Sequence, residues 1–348
     1  MKRKSVTFSR SLLSPVLGIG LTFGSGLAAA ADLTVTAYGG SWEQAYRTCF
    51  VQPFEKATGK KVDVILGSPT QWINQIAANP QKPPIDVMVG AVDSGKLARE
   101  RGLVEAISAK EVPNYAQLLP RLVEFGGGYG FPVTYGNFGL MYNTSEVKDP
   151  PKSWQEFVDG VVAGKWRAGI PGIAYSGTTQ GLIGLFATVF GGSLDNAQVA
   201  IDQVKRMRDS GNVVFYSEPN SPLVSLRNGD IDMAMYFDGR AWAEHDAGTS
   251  IIGYINPTPG SVAWPNMAQK VKNGSPLGWD SLNTLASAEG QTCFANAMQY
   301  AASNTQVSYS DKVKPRVATE GGSLWISFDD VAKNSASWIE LWNKQIGR

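Results

Sequence analysis

The chain has 348 residues, 43% of them hydrophobic and 18% charged, with 31 Lys and Arg against 30 Asp and Glu. That length holds about two domains at ~150 residues each, and that composition folds into a core instead of staying disordered. Near-neutral charge excludes a dedicated nucleic-acid binder, which needs clustered cations, and one His and two Cys leave little for a metal cluster or a His-based catalyst.

Lys2, Arg3, Lys4 and Arg10 precede an apolar, Gly-rich run from Leu12 to Leu27, which ends in Ala28 to Ala31. A positive start, a short apolar run and small residues at its end make a secretory signal peptide over 1–31, cleaved after 30 or 31. Ser14, Pro15, Thr22, Ser25 and several Gly interrupt the run, which is short of the ~20 apolar residues of a membrane span. No Cys near the cleavage point would take a lipid. Cleavage removes four positive charges and leaves 27 against 30 negative, a net charge of −3.

Leu33 to Tyr38 is β-branched enough for a strand, ended by Gly39-Gly40. Ser41-Trp42-Glu43-Gln44 reads as a capping box, and Trp42, Tyr46, Cys49, Phe50 and Pro53 keep helical spacing up to Gly59. A strand over Lys61 to Leu66, a helix over Gln71 to Ala78, a strand over Ile85 to Val89 and a helix over Lys96 to Arg101 follow. Such alternation predicts an α/β unit with a largely parallel sheet. Gly126 to Gly130 is a loop without the Lys-Ser/Thr ending of a phosphate loop. Phe131 to Tyr142 is an extended crossing between domains. Ser153 to Glu156 is a second capping box. Thr178 or Thr179 caps a helix to Phe190, and Asp195 or Asn196 opens another that stops near Gly211. Ile231 to Phe237 is a strand, ending at Asp238-Gly239-Arg240. Helical patterns resume around Glu289 to Ala302 and Trp338 to Ile346.

Export permits a disulfide, and Cys49 and Cys293 are the only pair available. A bridge would hold an early and a late segment in one domain. The alternative is two separately buried thiols; the bridge is the expectation taken here.

Thr36 to Trp42, followed by Pro53 to Val62, resembles the periplasmic solute-binding proteins of bacterial ABC importers, most nearly the spermidine/putrescine-binding branch. Later segments agree in order: Pro84 to Val89, Gly139 to Thr144, Pro151 to Trp154, Asn228 to Ala234, and Gly278 to Leu282, which is similar to a cleft-facing return strand. The resemblance implies a two-lobe, type II periplasmic-binding-protein fold of the α/β class, with the ligand cleft at the interlobe hinge. It implies a first lobe of 32–135 plus 278–305 and a second of 136–277 plus 306–348, so that both Cys fall in the first. It also implies a periplasmic monomer that hands its solute to an inner-membrane permease with a separate ATPase subunit, and that needs no cofactor.

Polyamine members of that branch hold an alkyl diamine between aromatic faces, with carboxylates on the ammonium ends. By resemblance, Trp279 and Asp280 supply an aromatic and an ammonium-binding carboxylate. Tyr236 and Asp238 lie at the end of a cleft strand, and Tyr38 and Trp42 at the first strand-to-helix turn. One departure matters. Ala174 to Gln180 contains no acid where the family places an acidic pair. It offers Thr178, Thr179 and a helix start, which favour an anion, and Arg240 is a further anion partner. The solute expected is therefore amine-containing: an ω-amino acid, or putrescine or spermidine if Asp238 takes the second amine. Carriers of thiamine, of a phosphonate or of ferric ion are the alternatives within the class. An extracytoplasmic hydrolase is the alternative outside it, but the chain has no G-x-S-x-G elbow, and His245 reads as a surface residue.

Overall fold

A computed structural model describes residues 31–175 and 177–347. The expected signal segment lies outside the described residues. Among the described residues, eleven strands form one mixed sheet. They are β1 (Leu33–Ala37), β2 (Val62–Leu66), β3 (Val87–Ala91), β4 (Phe131–Asn143), β5 (Ala168–Pro171), β6 (Val213–Tyr216), β7 (Met233–Phe237), β8 (Ile252–Ile255), β9 (Ser261–Lys270), β10 (Ala301–Ala302) and β11 (Ser323–Leu324).

The main order is β2-β1-β3-β9-β4-β7-β5-β6, with β8 and β10 paired to β4 and β11 to β9. Parallel pairing joins β1 to β2 and β3, and β5 to β6 and β7. Between these triplets lies the antiparallel pair β4 and β9. β9 is buried at all ten positions and β4 at all but one of its thirteen, Tyr142. Covering on both faces explains why these strands read as apolar runs and not as alternating ones. The long crossing expected over Phe131 to Tyr142 is β4.

Two large apolar clusters flank this pair. One gathers Val35, Phe50, Val87, Leu282 and Phe294 beside β1 and β3. The other gathers Phe138, Trp154, Phe157, Ile170, Leu185 and Trp338 beside β4, β5 and β7. Cys49 and Cys293 are bonded, with their Cα atoms 5.5 Å apart. Cys49 lies in a widened π turn, Arg47–Val51, inside an otherwise α-helical run from Ser41 to Thr58. Cys293 lies in the helix Ala288–Met298, so the bridge fastens two helices of the first cluster.

Several local expectations change. Ser41 does not cap; Gly40 precedes the helix, and the Gln44 N–H donates to the Gly40 carbonyl. Ser153 does cap, its Oγ accepting the Glu156 N–H at 3.1 Å, but the Glu156 carboxylate takes the N–H of Lys152 instead of closing the box. The helix expected at Thr178 or Thr179 is Thr178–Val189, preceded by Gly177. The last helix begins ten residues before its expected start, at Phe328, and runs to Gln345. Its first turns are mostly polar, but Phe328 and Val331 recur at helical spacing and are buried with Trp338 and Trp342. Gly278 to Leu282 is not a strand but the start of the helix Gly278–Leu285. The strand that returns alongside the cleft is β9.

Candidate functional site

Each of the six parallel strands feeds a helix from its C-terminal end. The helices Ser41–Tyr46, Pro69–Ala78 and Val92–Glu100 follow β1, β2 and β3, and Thr178–Val189, Ser221–Asn228 and Asp238–Asp246 follow β5, β6 and β7. In open α/β sheets, ligands bind in the crevice outside these strand ends. A cleft of about 730 Å³ lies there. All six strand-to-helix connections contribute to its wall: Tyr38 and Gly39, Gly67 and Ser68, Asp93 and Ser94, Tyr175 and Gly177, Glu218 and Pro219, and Phe237 with Arg240.

Aromatic faces supply much of the lining. The Tyr38 ring lies 5.5 Å from Trp42 in an edge contact and 5.6 Å from the wholly buried Trp72. Trp264 of β9 meets Phe237 at 6.0 Å, and Tyr300 meets Trp42 at 5.7 Å. Burial holds the phenols of Tyr38 and Tyr300 well above the ordinary tyrosine range, so both are neutral donors.

Three charged residues line the cleft: Asp93, Glu218 and Arg240. Among the described residues none of them forms an ion pair, with each other or elsewhere. Arg240 makes one long contact, Nη1 donating to Asn220 Oδ1 at 3.3 Å. Asp93 stands in the first turn of Val92–Glu100 and abuts Gly177, where a Cβ would lie 2.4 Å from its Oδ2. Gly177 also has a φ of +82°, in the region that favours glycine. Burial raises the Asp93 carboxyl above the usual carboxylate range, against the pull of the Ser94 N–H.

Of the residues expected from sequence, Tyr38, Trp42, Thr178 and Arg240 line the cleft. Thr179 is buried behind it, its hydroxyl donating to the Gly172 carbonyl at 2.6 Å. Tyr236 is also buried; its hydroxyl donates to the Pro219 carbonyl at 2.7 Å and so braces a connection that does line the cleft. Asp238 is buried, accepting the Asn137 N–H at 2.8 Å and the Gly239 N–H at 2.6 Å.

Trp279 and Asp280 are misplaced by the sequence reading. They follow β9, and the Trp279 ring lies 5.9 Å from Lys270 Nζ. Lys270 pairs with Val87, where β3 begins, whereas the cleft is reached from Ala91, where β3 ends, opposite Asn266. Four residue steps separate the two ends of β3, roughly 13 Å at ~3.3 Å each. Asp280 is exposed. The likeness of Gly278 to Leu282 to a cleft-facing return strand fails because Gly278, Ser281, Leu282 and Leu285 are buried at helical spacing.

Asp93, Tyr175, Glu218, Trp264, Asn266 and Tyr300 were not expected. Asp93, Tyr175 and Glu218 were legible in one way: each lies just beyond a short apolar strand, Tyr175 and Glu218 before a helix start and Asp93 in the first turn of one. Trp264 gave no such signal, because β9 reads as core throughout.

A family model described as bacterial extracellular solute-binding protein matches residues 50–320. A Salmonella typhimurium periplasmic protein, named provisionally for binding 2-aminoethylphosphonate, is 25% identical over 309 residues, covering 84% of this chain and 85% of its own. A norspermidine sensor of Vibrio cholerae is 25% identical over 171 residues, 49% of this chain and 46% of its own. A crystal structure of an extracellular solute-binding protein from Bordetella parapertussis superposes with a TM-score of 0.76 at 26% identity, covering 90% of this chain and 98% of that one. The spermidine/putrescine branch is thus not singled out within the wider family. On this match and this fold, the chain belongs to the bacterial extracellular solute-binding proteins, as the periplasmic, non-catalytic capture component of an ABC importer.

Proposed function

We propose that the protein captures a small zwitterion with an ammonium at one end and a phosphonate at the other, of the 2-aminoethylphosphonate class. One observation carries this reading: Arg240 and Asp93 line the same cleft, and neither is ion-paired among the described residues. A ligand with both charges satisfies both groups, whereas a diamine leaves Arg240 facing a second cation. Helix starts and tyrosine hydroxyls favour an oxyanion at the Arg240 end. Tyr38, Trp42 and Trp264 give faces along which an ammonium can approach Asp93.

The names of the full-length relatives move the weight from an ω-amino acid or a polyamine to a phosphonate. An ω-amino acid has the same charge pattern and is the second reading. The norspermidine sensor aligns over less than half its length and supports a polyamine less.

In this proposal residues 32–135 plus 278–305 and residues 136–277 plus 306–348 are two lobes that close by bending at β4 and β9. The two apolar clusters on either side of that pair support the division in the main, with Val92 in the second cluster and Ala268 in the first crossing it. The ligand contacts both lobes only when they are closed, so it shifts that population. The closed monomer delivers the ligand to its permease, and the separate ATPase supplies the energy.

The test is a thermal-shift panel on protein unfolded, dialysed and refolded to remove carried-over solute. Stabilisation by 2-aminoethylphosphonate above γ-aminobutyrate, with none by putrescine, is expected. Stabilisation by putrescine alone would overturn the reading.

A further inference from the structure

We propose that Asp238 is a positioning residue for the oxyanion end of the cleft: it does not touch the ligand but fixes the start of the Arg240 helix against β4. The inference rests on the proposed role of Arg240.

The register of β4 and β7 supplies the first argument. Their ladder begins with Phe138 opposite Phe237. Asn137, one residue beyond, has no β7 partner, and its N–H goes to Asp238 Oδ2 at 2.8 Å. The carboxylate therefore extends the ladder by one step past the strand. Its other oxygen accepts the Gly239 N–H at 2.6 Å, a donor that the first turn of a helix leaves unpaired. One side chain thus joins the crossing strand to the helix Asp238–Asp246, two residues before Arg240.

Close packing supplies the second. A Cβ on Gly136 would lie 2.4 Å from Asp238 Oδ1 and 2.6 Å from the Tyr300 ring. A Cβ on Gly239 would lie 2.6 Å from the Met298 carbonyl and 2.7 Å from the same ring. Tyr300 is therefore wedged between two glycines on either side of Asp238. It lines the cleft with Arg240. The Arg240 guanidinium has a long contact to Asn220 and the Tyr236 hydroxyl beside it as side-chain tethers. These fix its tip, while its base is set from the backbone by what holds the first turn. Burial raises the Asp238 carboxyl to about 8, as expected of an acid with no cation beside it.

A double-mutant cycle tests this by calorimetry, with 2-aminoethylphosphonate as the probe. Arg240→Ala alone tests the underlying reading: an unchanged Kd would remove the oxyanion role and with it this inference. Given a loss there, Asp238→Ala is expected to weaken binding about tenfold in the wild-type background and less than about twofold beside Arg240→Ala, the non-additivity of residues that act through one another. Asp238→Asn, which keeps one carbonyl acceptor, is expected to recover part of the loss. Equal factors in both backgrounds would overturn the proposal and leave Asp238 a purely structural residue. If Asp238→Ala gives no cooperative melting transition, the same cycle is run with Asp238→Asn, and additivity there overturns the proposal equally.

Discussion

Asp93 and Arg240 illustrate how charge at a single residue can specify a ligand. Each sits in the first turn of a helix, each faces the cleft, and neither is ion-paired among the described residues. Hydrogen bonds to charged partners contribute about 1.5–3 kcal/mol, so removal of either group is expected to weaken an aminophosphonate by roughly ten- to a hundredfold. Trp279→Ala with Asp280→Asn is expected to change that Kd less than about twofold, since neither residue reaches the cleft; this is within the usual additivity error for distant sites. A tenfold loss in that double variant, measured by calorimetry, would restore the sequence-based assignment. Tyr38, Trp42, Thr178 and Arg240 were legible because strand ends and helix starts are legible. Trp264 was not, because a buried aromatic on a covered strand has the same sequence signature whether it faces core or ligand.

Strands were the most readable elements, helix boundaries the least. β1, β2 and β7 fall close to their expected limits because short β-branched or apolar runs ended by Gly or Asp leave few alternatives. The polar opening of Phe328–Gln345 hid its first turns, whose anchoring depends on the distant apolar cluster. The Ser153 cap, by contrast, is a local device and was readable. Ser153→Ala is expected to lower unfolding stability by about 1 kcal/mol, as read from chemical denaturation. The Cys49–Cys293 bond joins two helices of the same cluster. Replacing both cysteines by Ala is expected to cost about 2–5 kcal/mol, the range for native disulfides in secreted domains, and to leave ligand selectivity unchanged. A selectivity change would mean that the bond also sets the shape of the cleft.

Across the whole molecule, one buried acid links stability to pH. Burial raises the Asp238 carboxyl of the folded chain to about 8. Unfolded Asp titrates near ~3.9. Between these values the folded chain holds protons that the unfolded chain has lost, so its stability falls as pH rises from about 4 to about 8. The denaturation midpoint is expected to be lower at pH 8.5 than at pH 5.5, and Asp238→Asn to flatten that decline. A midpoint that rises over the same interval would contradict the burial of the Asp238 carboxyl in neutral form. Fold class was legible at this scale, since strand and helix alternate along the chain. The solute was not, because it depends on which side chains six separate connections bring to one cleft.

The most direct measurement is calorimetry of 2-aminoethylphosphonate beside its two halves, ethylamine and ethylphosphonate, on the wild type, Asp93→Asn and Arg240→Ala. The wild type is expected to bind the whole ligand far more tightly than either half. Asp93→Asn should erase the advantage over ethylphosphonate, and Arg240→Ala the advantage over ethylamine. Tight binding of the whole ligand that survives both substitutions would contradict recognition by this pair of charges.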